Sequence, residues 1–232
     1  MNKIQFLNVL PHVFQALATE EQGETRNNIV RENPCHSVAS SIWLQDVIFE
    51  RGHHYLIEAE SGKGKSTFCS YIQGYRHDFS GQLLFDDIDT RKLKTSDWVR
   101  IRQNNISLLF QELRLFPELT AMENVEIKNR LTGFKTRSQI EQWFEMLGIA
   151  DKQDAKVGFM SFGQQQRVAM MRALVQPFDF ILTDEPISHL DDANATVMSQ
   201  IMMDEARSQG AAVIITSIGK HMQLSYDRHL ML

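Results

Sequence analysis

Only two cysteines occur in the 232 residues, Cys35 and Cys69, and neither belongs to a CxxC pair or a cysteine–histidine cluster. A disulfide framework and a structural zinc site are therefore excluded, and a reduced chain is expected. No apolar run approaches the roughly 18–20 residues needed to span a bilayer. The opening stretch MNKIQF lacks the basic region and apolar core of a secretion signal, so none is expected. Lys and Arg number 24 against 29 Asp and Glu, a net charge of −5. That balance argues against a general basic surface for nucleic acid, and no nucleic-acid partner is expected. Internal repeats, heptad arrays and low-complexity tracts are missing as well. The remainder is ordinary for a globular protein, 43% hydrophobic and 23% charged, with enough chain for one large α/β domain carrying a subdomain.

Hydrophobic patterning orders the chain. Residues 4–14 (IQFLNVLPHVF) are β-like, and residues 15–37 are polar and read as a loop or a hairpin with a short helix. Residues 41–50 alternate apolar and polar, as a half-buried strand does. Residues 54–59 form a short apolar strand, and a helix is expected from residue 65 to about 74. Further strands are expected at 82–85 and 106–110, and a helical stretch at 118–149. Residues 178–183 (FDFILT) and 211–216 (AAVIIT) are continuous apolar runs, the pattern of parallel strands covered on both faces, with a helix at 194–209 between them. The early alternating strands predict a separate antiparallel sheet.

Two stretches carry chemistry. AESGKGKST, residues 59–67, follows a strand and opens a helix. It departs from the phosphate-binding loop pattern only where Ala59 replaces the first glycine. Glycines are needed there because backbone N–H groups must converge on phosphate oxygens, and the helix adds its positive dipole end. Lys65 would supply a point charge to the β- and γ-phosphates, and the Ser66 hydroxyl would ligate Mg²⁺. The second stretch, FILTDEPISHLDD, ends an apolar strand on Asp184 and Glu185. Two carboxylates at a buried strand end are costly without a role. Beside a phosphate loop, Asp184 would hold Mg²⁺ and Glu185 would polarise the attacking water.

A third stretch, MSFGQQQRVAMMRAL from residue 160, reads as a small polar knot opening a helix. Ser161 is a natural N-cap, and Gln164 completes a capping box. Taken in order, the phosphate loop, Gln111 after a buried strand, SFGQQQR and TDEPISHLD resemble the ATP-binding cassette (ABC) ATPases, best over residues 43–232. The resemblance implies an α/β P-loop NTPase fold. A RecA-like core with a parallel sheet and an antiparallel β-subdomain would span 1–110 and 159–232, with an α-helical subdomain inserted at 112–158, in one domain of 1–232. It implies a homodimer with two composite ATP sites. In each, Ala59, Glu60, Ser61, Gly62, Lys63, Gly64, Lys65, Ser66 and Thr67 would hold ATP, and Ser161, Phe162, Gly163 and Gln164 of the opposite copy would cover it. Ser66, Gln111 and Asp184 would hold Mg²⁺. Glu185, Gln111 and Lys65 would act in hydrolysis, and Ser188, His189, Leu190 and Asp191 would form the D-loop. Phe14 is the candidate for stacking on adenine, with His36 and Trp43 as rivals.

Besides Ala59, two further positions depart from the family pattern. Phe162 stands where the family has a glycine, and VIITSIGKH puts Ser217 where the family has a histidine that contacts the γ-phosphate. Both predict slow turnover. FQELRLFPELTAMENV looks closest to the lipoprotein-release, macrolide-exporter and cell-division branch, although amino-acid importers share much of it. That branch implies separately encoded transmembrane subunits and a peripheral position at the cytoplasmic face of the membrane, reached only through them. Residues near Leu115 and Phe116 would line the contact. The alternatives are a nucleotide-gated regulatory module with little turnover, or a soluble ABC ATPase outside transport.

Overall fold

The computed structural model describes residues 1–15, 40–60, 62–219 and 221–232. Its core is a five-stranded sheet in which every neighbouring pair runs parallel. The strands, in spatial order, are β6 (Ile106–Leu109), β7 (Phe180–Asp184), β8 (Ala212–Ser217), β3 (His54–Glu58) and β9 (Arg228–Met231). Helices α1 (Lys65–Ile72), α2 (Thr95–Asn104), α5 (Phe162–Leu174) and α6 (Asp192–Gln209) complete the core. The period of two along each strand divides the side chains between two apolar clusters. Leu56, Ile181, Val213 and Ile215 join α5 and α6 on one side. Ile57, Leu182 and Ile214 join α1, α2 and a second sheet on the other. With both faces covered, the central strands are apolar throughout, as their uninterrupted runs predict.

The second sheet is antiparallel, in the order β2 (Asp46–Glu50), β1 (Lys3–Pro11), β4 (Phe79–Phe85), β5 (Ile88–Asp89). Strand β2 alternates exposed and buried residues, the signature of a sheet with one wet face. A bulge interrupts the β1–β4 ladder between Leu7 and Leu10. Gly81 sits opposite it, and a Cβ there would lie 2.3 Å from the Asn8 carbonyl oxygen, so no other residue fits this approach.

Several sequence boundaries move. The strand expected at 41–50 is confined to Asp46–Glu50, and the strand expected at 82–85 begins at Phe79. The helical stretch at 118–149 divides into α3 (Ala121–Asn129) and α4 (Arg137–Met146), each closed at its start by a capping box, Thr120 with Glu123 and Thr136 with Gln139. Helix α2 and edge strand β9 have no counterpart in the patterning. Each is a short element with few buried side chains, Trp98 and Ile101 in one and Leu230 in the other. No helix among the described residues is long and apolar enough to cross a membrane.

Helix α3 packs on α5, and Met122 and Val125 of α3 and Ile140 and Phe144 of α4 belong to the same apolar cluster as α5 and α6. An enclosed ion pair between Lys135 and Glu205 (2.7 Å) ties the loop between α3 and α4 to α6. Lys128 of α3 is less well matched. Its ammonium reaches Ser107 Oγ at 3.4 Å, with no carboxylate among the described residues to pair with it. Burial, with the Arg172 charge adding to it, lowers its pKa from 10.5 to about 7. The unfolded chain therefore binds more protons than the folded chain between about pH 7 and pH 10.5, so stability rises with pH across that window. Thermal melting followed from pH 7 to pH 9.5 should climb for the wild type, and Lys128→Met should flatten the rise. Identical pH profiles for the two proteins would show that Lys128 keeps its proton in the fold.

Candidate functional site

The C-terminal ends of β3, β7 and β8 converge on one open cleft of about 550 Å³. It is lined by Gly62, Gly64, Lys65, Ser66, Thr67, Gln111, Glu185 and Ile218. Strand β3 runs into the 59–64 loop, and α1 begins immediately after it. Gly64 is the N-cap of α1, at φ 100°, and no side chain caps this helix end. The N–H groups of the first turn are therefore left for an external acceptor, and no acidic residue occupies that turn to oppose an anion. Gly64 is also sterically committed. A Cβ there would lie 3.3 Å from the rings of both Phe14 and Trp43. Ala59, the departure from the glycine pattern, is buried, and its N–H donates to the Ser217 carbonyl, which fastens the loop entrance to β8. Ser61 lies outside the described residues, as do Cys35 and His36.

Lys65 is 7% exposed and folds back across the loop. Its ammonium donates to the carbonyls of Ala59 (3.0 Å) and Glu60 (3.1 Å) and stands 4.0 Å from Glu185 Oε1. Burial lowers its pKa, and the neighbouring Glu185 and Asp184 carboxylates oppose that shift. Ser66 Oγ donates to Asp184 Oδ2 at 3.2 Å, and Thr216 Oγ1 donates to Asp184 Oδ1 at 2.5 Å. Gln111 Nε2 donates to Glu185 Oε2 at 3.4 Å. The five side chains singled out in the sequence, Lys65, Gln111, Ser66, Asp184 and Glu185, thus meet in one place. The Ser66 hydroxyl, the Asp184 carboxylate and the Gln111 amide are hard oxygen donors of the type Mg²⁺ takes. Because the protein offers few of them, phosphate and water would have to complete the shell.

The remaining candidates separate. Phe14 is partly buried against Gly64, its ring 6.4 Å from that of Trp43. Trp43 itself is core, packed between Phe6, Phe68 and Tyr71, with Nε1 donating to the Lys63 carbonyl. Ser161 caps α5 by accepting from Gln164 N, while Gln164 Oε1 accepts from Ser161 N, as the sequence spacing predicts. Phe162, 44% exposed, leans aside onto His189 in an edge contact with ring centroids 4.5 Å apart. His189 is steadied by a 2.9 Å contact between its Nδ1 and Ser188 Oγ. Gly163 packs against His189 and Leu190, where an added Cβ would make contacts of 3.4 Å. Asp191 caps α6. Bonds from the Asn194 backbone amide and then its side chain hold the Asp191 carboxyl below the usual carboxylate range.

Ser217 is placed otherwise than its sequence position suggests. It is the last residue of β8, paired in register with Glu58 and 0% exposed. Its neighbour Ile218, 47% exposed, is the side chain that enters the cleft. Strand alternation explains the exchange: the final residue of a central strand faces the packed side, and the first residue past it is free to turn outward. Sequence reading also missed Gln166, a buried side chain on α5 that donates to the Pro186 carbonyl. A third glutamine in a polar run carries no signal that would mark it as inward-facing.

A parallel sheet whose strand ends bear a phosphate loop, a loop lysine and a strand-terminal Asp–Glu pair defines a P-loop nucleotide-binding protein. Comparison with known proteins narrows the class. Residues 45–188 match the family model described as ABC transporter, and the chain belongs to that family. It is 30% identical to the lipoprotein-releasing system ATP-binding protein LolD of Legionella pneumophila, over 81% of this chain and 84% of that protein. It is 32% identical to an uncharacterized ABC transporter ATP-binding protein of Mycobacterium tuberculosis, Rv0073, over 71% of this chain. The match spans about half of that relative, 51% of its length. Among solved structures, the dimeric bacterial ABC transporter cassette MJ0796 superposes with a TM-score of 0.66 at 28% identity, covering 75% of this chain and 78% of that one. The family and the resemblance to the lipoprotein-release branch agree with the sequence reading.

Proposed function

We propose that the chain is the ATP-binding and ATP-hydrolysing subunit of an ABC transporter or mechanotransmission complex. In this reading it works as a homodimer on separately encoded transmembrane subunits at the cytoplasmic face of the membrane. The observation that carries the reading is the convergence of Lys65, Ser66, Gln111, Asp184 and Glu185 on a helix N-terminus without a side-chain cap. ATP would bind with its phosphates over that helix end and its adenine against Phe14. Lys65 would exchange its two carbonyl partners for phosphate oxygens. Ser66, Asp184 and Gln111 would hold Mg²⁺, which neutralises phosphate charge when bound. Glu185 would accept a proton from the water attacking the γ-phosphorus, and ADP and phosphate would leave. Ser161, Phe162, Gly163 and Gln164 of the opposite copy would close the site. The segment 112–158 would receive the membrane subunit near Leu115 and Phe116, of which Phe116 is half exposed.

The cleft also supports slow turnover, and a regulatory module with little turnover is the second reading it favours. Ile218 lines the cleft, so with ATP bound an aliphatic side chain would stand where the family has a hydrogen-bond donor to the γ-phosphate. Losing one preorganised transition-state donor costs roughly 10²–10³ in rate. An imidazole at the buried Ser217 would have to displace core, whereas one at Ile218 has room. Ile218→His should therefore speed steady-state hydrolysis, Phe162→Gly should ease closure, and Ser217→His should mainly destabilise the fold. Phosphate release by the purified chain, with and without its co-purified membrane subunit, is the test of the whole reading. A wild type already turning over at about 10 per second, unchanged by Ile218→His, would remove the slow-enzyme account. Failure to release phosphate even with the membrane subunit would favour the regulatory module.

A further inference from the structure

Gln166 lies on α5 two residues beyond the 161–164 segment and is 2% exposed. Its Nε2 donates to the carbonyls of Pro186 (2.5 Å) and Glu185 (3.5 Å), while its Oε1 is buried with no hydrogen-bond partner. Turning the amide over would set oxygen against two carbonyl oxygens, so the orientation is fixed by its acceptors. Among the described residues, the hydrogen bonds of this side chain thus go to the Glu185–Pro186 backbone alone.

That backbone is unusual. Glu185 has φ 51°, in the left-handed region, which a non-glycine side chain enters only when its surroundings over-determine it. On one side of its Cα, the Glu185 N–H donates to the Thr216 carbonyl at 3.0 Å. On the other, Ser188 bonds to the Glu185 carbonyl, and Gln166 takes the Pro186 carbonyl one residue on. Proline has no N–H of its own to fix this turn, so its carbonyl is the available handle. From this left-handed turn the Glu185 carboxylate reaches Lys65 and Gln111.

We infer that Gln166 is a positioning residue for the Glu185 carboxylate. It fastens the start of α5 to the strained turn that aims this group into the cleft. The inference rests on the proposed role of Glu185 as the proton acceptor. It also makes the α5 N-terminus, which faces the opposite copy in the dimer reading, one mechanical unit with the carboxylate of its own site.

Gln166→Met keeps the length of the side chain and removes both donor and acceptor. In the full chain it should lower kcat on the order of 10- to 100-fold, since small misplacement of a reacting group is that costly. ATP affinity by calorimetry should stay at the wild-type value in the folded variant, a split between kcat and affinity that a general loss of packing would not produce. A wild-type kcat in folded Gln166→Met overturns the inference, and so does a proportional loss of ATP affinity. If Gln166→Met does not fold, Gln166→Asn, which retains the amide but draws it back by one methylene, decides on the same two readouts. Glu185→Gln measured alongside separates the failures. Arrested hydrolysis there with a normal Gln166→Met rate overturns only the positioning role, and normal hydrolysis in Glu185→Gln overturns both.

Discussion

Glu185→Gln should arrest hydrolysis while ATP stays bound, and two copies of the chain should accumulate around it. The amide keeps the shape of the carboxylate and can still meet Gln111, which now lies 3.4 Å from Glu185 Oε2. What it cannot do is take a proton from the attacking water. A positioned general base contributes typically 10²–10⁴ in rate, and kcat should fall by roughly that factor. Removing a negative charge 4.0 Å from the Lys65 ammonium also removes repulsion toward incoming phosphate, so nucleotide affinity should hold or tighten. Steady-state phosphate release together with gel filtration in ATP checks both halves. Hydrolysis at the wild-type rate would assign the chemistry to another group.

Lys65→Ala should abolish most ATP binding. The ammonium donates to the Ala59 and Glu60 carbonyls and lies beside two carboxylates, with little of the side chain exposed. Its three donors can turn onto phosphate oxygens with little further desolvation. A charge-assisted hydrogen bond contributes about 1.5–3 kcal/mol. Loss of even one such bond would weaken binding roughly 10- to 100-fold. The variant has a second penalty, because Asp184 and Glu185 then face the phosphates with no protein cation between them. Calorimetric titration with ATP and Mg²⁺ is the measurement, and equal affinities for wild type and variant would place the nucleotide elsewhere. Since the hydrogen bonds of Lys65 among the described residues go to the two loop carbonyls, the melting temperature without nucleotide should change less than the affinity.

Much of this protein is legible in its sequence because the physics there is local. The phosphate loop needs glycine at Gly62 and Gly64, both at positive φ, and a helix immediately after, and both requirements are met within ten residues. The α5 capping box is a matter of two side chains three positions apart. Apolar runs at β7 and β8 announce a doubly covered sheet, and the Asp–Glu pair at the end of β7 announces a buried polar site. Tertiary structure decided what depends on partners distant in the chain. Whether Ser217 or its neighbour Ile218 enters the cleft follows from the register of β8 against β3, not from any spacing near residue 217. Gln166 and Glu185 are 19 residues apart, and their contact exists because α5 lies across the end of β7. Trp43 became core and Phe14 the ring against Gly64 only when the antiparallel sheet had packed on α1. Hydrophobic period and turn chemistry fix which elements form and where the chemical groups are carried. The direction in which each group points is set by burial against surfaces that one segment of chain does not contain.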